Sequence, residues 1–354
     1  MTWPRSAYAG IGPRATWTAV GAVVLGVGAL VTGKGAVEAS RTFGAFLAAW
    51  LFLGGLALGA VAFRALFRIF GARWTRPLTD SAAGLVAYLP AAALLLALVL
   101  AGALPRFATA TGWLSPTSLV GRNVILNGIL FGFAWLRFRR PDGAAPPPSL
   151  SAAVGFLVLY GVVLSTWSFD FVLGPDPIFA STLIGPYFFT GAFLSGTALV
   201  TLMALARGSL PERARRDAAA LVFALAIFWV YLFCSQALTF WYGNLPDEIT
   251  WTLRRLTDGW TAVVWTVLIL VFVLPFLGLL HPAGRRSPRV LAVVLLGQLA
   301  GLWLNCYLLV VPSFAPAGAG PVEVRDLLVS LGMLGLFILT LAPALRRAPA
   351  KATP

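Results

Sequence analysis

"FWVYLFCSQALTFWYGNLPDEITWTLRR", Phe228 to Arg255, begins as an unbroken apolar helix and ends in acids and arginines. The apolar half continues back to residue 218, and the run over 218–242 exceeds the roughly 20 residues a helix needs to cross the hydrocarbon core of a bilayer. The polar half then marks where the chain leaves the lipid. Gln236 stays inside the apolar half, six residues before Tyr242, or about 9 Å below the span's end at about 1.5 Å per residue.

Reading that stretch as a membrane span decides the rest, because the pattern recurs. Apolar runs of similar length cover 16–32, 43–67, 84–103, 118–136, 150–171, 181–205, 218–242, 259–280, 289–312 and 326–345. With 59% hydrophobic and 11% charged residues, the chain carries more apolar surface than one soluble core of 354 residues holds. The expectation is an all-α integral membrane protein with ten transmembrane helices. The first run follows Arg5 and Arg14 like a secretory leader, but nine further spans of consistent topology favour an uncleaved first span.

The net charge of +14 would suggest nucleic acid in a soluble protein, but here the cations sort by side. One side carries 19 of the 26 Lys and Arg, and the other carries Lys34, Arg41, Arg106, Arg122, Arg254, Arg255 and Arg325. Positive-inside topology then predicts cytoplasmic N- and C-termini in a bacterial inner membrane, with the 243–258 loop outside. The lipid bilayer is the expected charged partner, and no nucleic acid is expected.

Cys234 and Cys306 lie within spans at no metal-ligand spacing, and His281 is the single histidine. A bis-histidine haem within this chain is therefore excluded, no C-x-x-C-H attachment motif occurs, and no metal site is expected. The basic, proline-rich "RRPDGAAPPPS", Arg139 to Ser149, is the one conspicuous linker. It divides a single polytopic domain, 1–354, into a first group of helices over 43–136 and a second over 150–312, with 326–345 as a peripheral last helix. No exact repeat is visible.

Polar groups inside spans are costly and so point to function or to glue between helices. Arg122, Asn123 and Asn127 open the fourth span, Asp170 closes the fifth, Asp176 lies between Pro175 and Pro177, and Ser181 and Thr182 open the sixth. Gln236 lies beneath Trp241, Tyr242 and Asn244, while Gln298 and Asn305 are seven apart and share one helix face. Apart from Gln298, all of these fall toward the outer side, as for a site entered from the outer leaflet. The plain alternatives are interhelical glue for the amides and an interfacial aromatic belt for Trp241 and Tyr242. "GNLPDEITWTLRR" reads as a short interfacial helix capped by Asn244, with Asp247 and Glu248 at its positive end and Arg254 and Arg255 at the other.

Residues 228–251 resemble the signature of ActF, the second polysulfide-reductase-C-like (NrfD-type) membrane subunit of alternative complex III, with its Ser-Gln, its aromatic pair and its Asn-x-Pro-acid-Glu. "SFDFVLGPDPIFASTLIGPYFFTGAF" (168–193), "RRDAAALVFALAIFW" (215–229), "PFLGLLHPAGRRSPRVL" (275–291), "LWLNCYLLVVPSF" (302–314) and "RTFGAFLAAWLFLGGLALGAVAF" (41–63) follow the same family. The resemblance implies two four-helix bundles with flanking helices. It implies assembly with an iron–sulfur subunit, haem c subunits and a second polysulfide-reductase-C-like subunit, in a complex that oxidises quinol for cytochrome c or a terminal oxidase. Haem and iron–sulfur clusters would belong to the partners, and quinol (menaquinol or ubiquinol) would be the substrate.

On that reading Gln236 bonds a quinol oxygen, with Trp241, Tyr242, Asn244, Arg122 and Asn127 around it, and Asp170, Asp247 and Glu248 carry protons. Asp176, Asp217 and Asn305 occupy the family's proton-path positions. Three departures bear on that path: Arg216 stands where the family has His, Ile178 replaces another His, and Asn305 replaces an Asp. An amide binds a quinone oxygen as a carboxylate does, but only the carboxylate releases a proton. A non-catalytic scaffold subunit is the second reading. A ten-span solute transporter is the remote third, opposed by the lack of paired interrupted spans.

Overall fold

The computed structural model describes residues 12–32, 35–139, 148–176, 178–316 and 318–346, and no strand occurs among them. The helices are α1 (Pro13–Val31), α2 (Ala36–Ile69), α3 (Arg76–Phe107), α4 (Pro116–Phe138), α5 (Leu150–Leu173) and α6 (Ile184–Ala206). They continue as α7 (Glu212–Gly243), α8 (Pro246–Leu253), α9 (Trp260–Leu280), α10 (Pro288–Ser313) and α11 (Val324–Arg346). Nine of them, α2–α7 and α9–α11, are long and apolar enough to cross a membrane, as expected for a multi-pass membrane protein. The first expected span is present as α1, but its apolar length, Ala15–Val31, is shorter than the others. Of the ten expected spans, nine reach that length among the described residues and α1 falls short of it. α8 is the short helix expected after Tyr242.

Two closed rings of four helices account for the packing. In the first, α2 touches α3, α3 touches α4, α4 touches α5 and α5 returns to α2; in the second, the circuit runs α6, α7, α9, α10 and back to α6. α2 also packs along α6, joining the rings, and α1 pairs with α11 on the flank against α2. α2 is buried on all sides over its apolar length, as a helix apolar all round must be.

Glycine makes the central seam possible. Lipid gives helices no hydrophobic reason to associate, so close backbone approach has to supply the attraction. Gly55 and Gly59 on α2 face Ala192 and Gly196 on α6, and a Cβ on Gly59 or Gly196 would overlap the opposing backbone. The flanking pair repeats the device: a Cβ on Gly26 would stand 2.6 Å from Gly332 Cα.

Two prolines free carbonyls that side chains from other elements then occupy. Pro275 has no N–H for the carbonyl four residues back, α9 widens to a π-turn over Ile269–Val273, and Gln298 Nε2 donates to Val271 O at 3.3 Å. Pro312 does the same for Leu308, whose carbonyl accepts from Arg255 Nε at 3.0 Å. Gln298, read from the sequence as interhelical glue or site, is glue.

Candidate functional site

Asp170 lies in a second π-turn, Ser168–Leu173, at the end of α5, and it is completely buried. Such a turn rotates a side chain out of the helical register and is frequent at functional positions. Four donors reach its carboxylate. Arg122 gives Nη2 to Oδ1 at 2.7 Å and Nε to Oδ2 at 3.2 Å, a bidentate pair. Trp113 Nε1 donates to Oδ1 at 3.0 Å and Asn123 Nδ2 to Oδ2 at 2.6 Å. Arg122 in turn donates to Trp113 O and Ser118 Oγ, and its guanidinium lies 3.8 Å over the Trp113 ring. One level deeper, Asn127 Oδ1 accepts from Trp167 Nε1 at 2.9 Å.

Trp113 is also one wall of a cleft of about 550 Å³. The cleft opens at the end of the protein where the two rings meet, between the α3–α4 loop and the end of α5 on one side and the start of α6 and the end of α7 on the other. Phe169, Phe179 and Phe240 are among its apolar lining residues, and Ser181, Thr182, Thr239 and Asn244 supply its polar side chains. No acid or base lines it among the described side chains. That composition suits an uncharged ring-bearing ligand with a few hydrogen-bonding groups. Ser181 Oγ donates to Gln236 Oε1 at 2.7 Å, so Gln236 holds the polar part of the wall from below.

An aromatic stack stiffens the second-ring side. Phe179 lies parallel to Trp251, with centroids 4.4 Å apart and planes 6° apart, and the Arg255 guanidinium caps Trp251 at 3.5 Å. Arg255 is buried without a carboxylate and donates to the carbonyls of Trp251, Leu308 and Leu309 and to Ser313 Oγ. Burial pushes its guanidinium down to about 9, with Asp176 offsetting part of that fall and Arg254 adding to it. The carboxyl end of α10, whose last carbonyls have no intrahelical N–H partner, is where a cation is favoured. Above the stack, Asp176 Oδ1 pairs with Arg254 Nη1 at 2.9 Å and ties the α5–α6 loop to α8.

The residues named from sequence therefore divide. Arg122, Asp170 and, beneath them, Asn127 form one buried cluster beside the cleft, while Gln236 supports its wall and Asn244 lines it. Trp241 and Tyr242 are 75% and 85% exposed and do not line the cleft. Asn244 does not cap α8. It ends α7 in the left-handed conformation at φ 41°, which asparagine tolerates, and the residue before α8 is Leu245. Asn305 lies in the second ring's core and accepts from Tyr187 OH at 2.6 Å. Asp217, near the start of α7, is at the opposite end of the protein, roughly 28 Å along the helix from Gln236. The side chains of Asp247 and Glu248 lie outside the described residues.

Sequence reading missed Trp113. Its only signal was an aromatic residue in the turn "TGWLSP" (111–116), which is indistinguishable from an interfacial anchor until Asp170 is found beside it. No protein-family model matches the chain, and a comparison with curated proteins returns no match.

Proposed function

We propose that this chain is a membrane subunit of a quinol-oxidising respiratory complex of the alternative complex III type, and that the cleft receives the quinol head group. The observation that carries the reading is the cleft itself, which is aromatic, uncharged and about 550 Å³ in volume, at the membrane edge between two helical rings. Volumes of roughly 300–1,000 Å³ are usual for small-molecule sites. A quinol ring is flat and neutral and presents two hydroxyls. Phe179, Phe240 and Trp113 offer surfaces for the ring, and Ser181, Thr182 and Asn244 offer partners for the hydroxyls.

In this proposal the cleft faces the outside of a bacterial cytoplasmic membrane and both termini are cytoplasmic. An iron–sulfur subunit and haem c subunits dock over it and take the electrons, and a second membrane subunit stands alongside. The chain's own contribution is to bind and orient. Oxidation releases two protons per quinol, and no described side chain in the wall accepts them. Asp247 and Glu248, next to the cleft residue Ile249 in α8, are the acids assigned to that task.

One observation favours the scaffold alternative, in which the cleft does not turn over quinol. Asp170, bonded to the cleft residue Trp113, already accepts from four donors. The test begins with mild-detergent purification of the tagged chain, mass spectrometry of what accompanies it, and a haem stain. Co-purifying iron–sulfur and haem c subunits support the complex; a lone, haem-free chain from cells that express those subunits refutes it. Within an intact complex, Ser181→Ala with Gln236→Leu should lower quinol turnover at least tenfold, and unchanged turnover would leave only the scaffold.

A further inference from the structure

A second cavity, a groove of about 690 Å³, runs between α3 and α4 on the first ring, away from the cleft. Its floor is Ala93, Ala97 and Ala101 on one helix and Gly128 and Gly132 on the other, and Trp135 closes one end. Small residues at every fourth position normally draw two helices together. Here they do not: a Cβ on Gly128 or Gly132 would meet nothing within 4 Å. The groove is apolar apart from Asn127, so a hydrocarbon chain matches it and water does not.

Charge fixes the occupant's head. At the Trp135 end the Arg139 guanidinium lies 4.4 Å over the Trp135 ring, and Arg137 is exposed on the same turn. Among the described residues neither arginine makes an ion pair. These cations stand at the cation-rich end of the protein, where the polar heads of one leaflet lie.

We propose that the α3–α4 groove is a binding site for an anionic phospholipid, with an acyl chain along the Ala97–Gly128 floor and the phosphate on Arg139 and Arg137. The site stands independently of the quinol reading, since it shares no described residue with the cleft. Two charges at a surface favour an anionic over a zwitterionic head by about fivefold per arginine.

The experiment is native mass spectrometry of the full-length chain extracted from vesicles of equal phosphatidylglycerol and phosphatidylcholine. Wild type should retain phosphatidylglycerol preferentially. Arg137→Gln with Arg139→Gln should keep a lipid but lose the preference, about fivefold for each arginine removed. Gly128→Leu with Gly132→Leu, whose side chains enter open space, should fold normally by size exclusion and thermal melting yet lose the lipid. Equal retention and equal preference in all three proteins would overturn the proposal. So would an isoprenoid quinone, rather than a phospholipid, displaced by the glycine variant.

Discussion

Replacing Arg122 by Gln tests the centre of the site. Asp170 has no exposure to water and takes two of its four hydrogen bonds from Arg122, at 2.7 and 3.2 Å. Without that cation, Trp113 and Asn123 remain as neutral donors to a buried charge. Breaking a buried pair from one side costs about 3–5 kcal/mol, because the remaining charge has no counter-ion and no solvent. Asp170→Asn should cost less, since Arg122 is 12% exposed and keeps Ser118 Oγ and Trp113 O as acceptors. The double variant should then recover much of the loss, giving a coupling of at least about 2 kcal/mol, well beyond the roughly 0.5 kcal/mol scatter of independent sites. The assay is thermal unfolding followed by a thiol-reactive fluorophore on the partly buried Cys306, with the exposed Cys234 replaced by Ser. At about 2 °C per kcal/mol, the lower end of the scaling for large domains, Arg122→Gln should melt about 6–10 °C early. A shift below 2 °C, or single effects that simply add, would show that the pair is not the closed unit described.

Gly59→Leu should abolish folding or leave an aggregating chain, because its Cβ already overlaps the Ala192 carbonyl and overpacking costs at least about 1–3 kcal/mol; a monodisperse, wild-type elution profile would refute the seam. Arg255→Met strands three carbonyls and a hydroxyl, each unsatisfied buried group costing about 1–3 kcal/mol. Arg255→Lys should rescue only part of the resulting loss of melting temperature, since an ammonium does not reproduce the guanidinium fork. Trp241→Ala with Tyr242→Ala should change stability by no more than about 1 kcal/mol and leave ligand affinity at the cleft unchanged; a tenfold loss of affinity would bring those rings back into the site.

The helices were legible because a bilayer leaves little choice: long apolar runs must be helical, and their ends fall where charges begin. Expected runs such as 289–312 and 150–171 correspond to Pro288–Ser313 and Leu150–Leu173. α2 and α7 run well past their apolar cores, to 34 and 32 residues, because polar turns at their ends continue the same backbone ladder. Arg122 and Asp170 were legible as charges too near lipid to stand alone. That they meet each other was not, since hydropathy carries no information about which helices become neighbours. Trp113 and the Asn244 turn were hidden for a different reason: an aromatic or an asparagine at a membrane edge has several ordinary uses, and only tertiary position separates them.

The seven cations on the less basic face pose a question that the packing answers. Charge placement for topology alone favours few cations there. Lys34 lies outside the described residues, and each of the other six is engaged. Arg41 bonds Asp326 at 2.8 Å and holds α2 to α11, Arg325 pairs with Glu38, and Arg106 lies over Phe314. Arg122 closes the first ring's half of the cleft, and Arg254 and Arg255 close the second's. These arginines fasten loops and helix ends that no hydrophobic force would join in lipid. At the other end, among the described residues, Arg137 and Arg139 make no ion pair, and Arg139 lies over the Trp135 ring. Arginine fastens the basic face as well, where Arg64 donates to Phe138 O, Arg68 to Pro148 O and Arg207 to Ser81 Oγ. Arg137 and Arg139 therefore stand out from their own neighbours rather than from the opposite face, and that contrast is what makes them the cations to substitute.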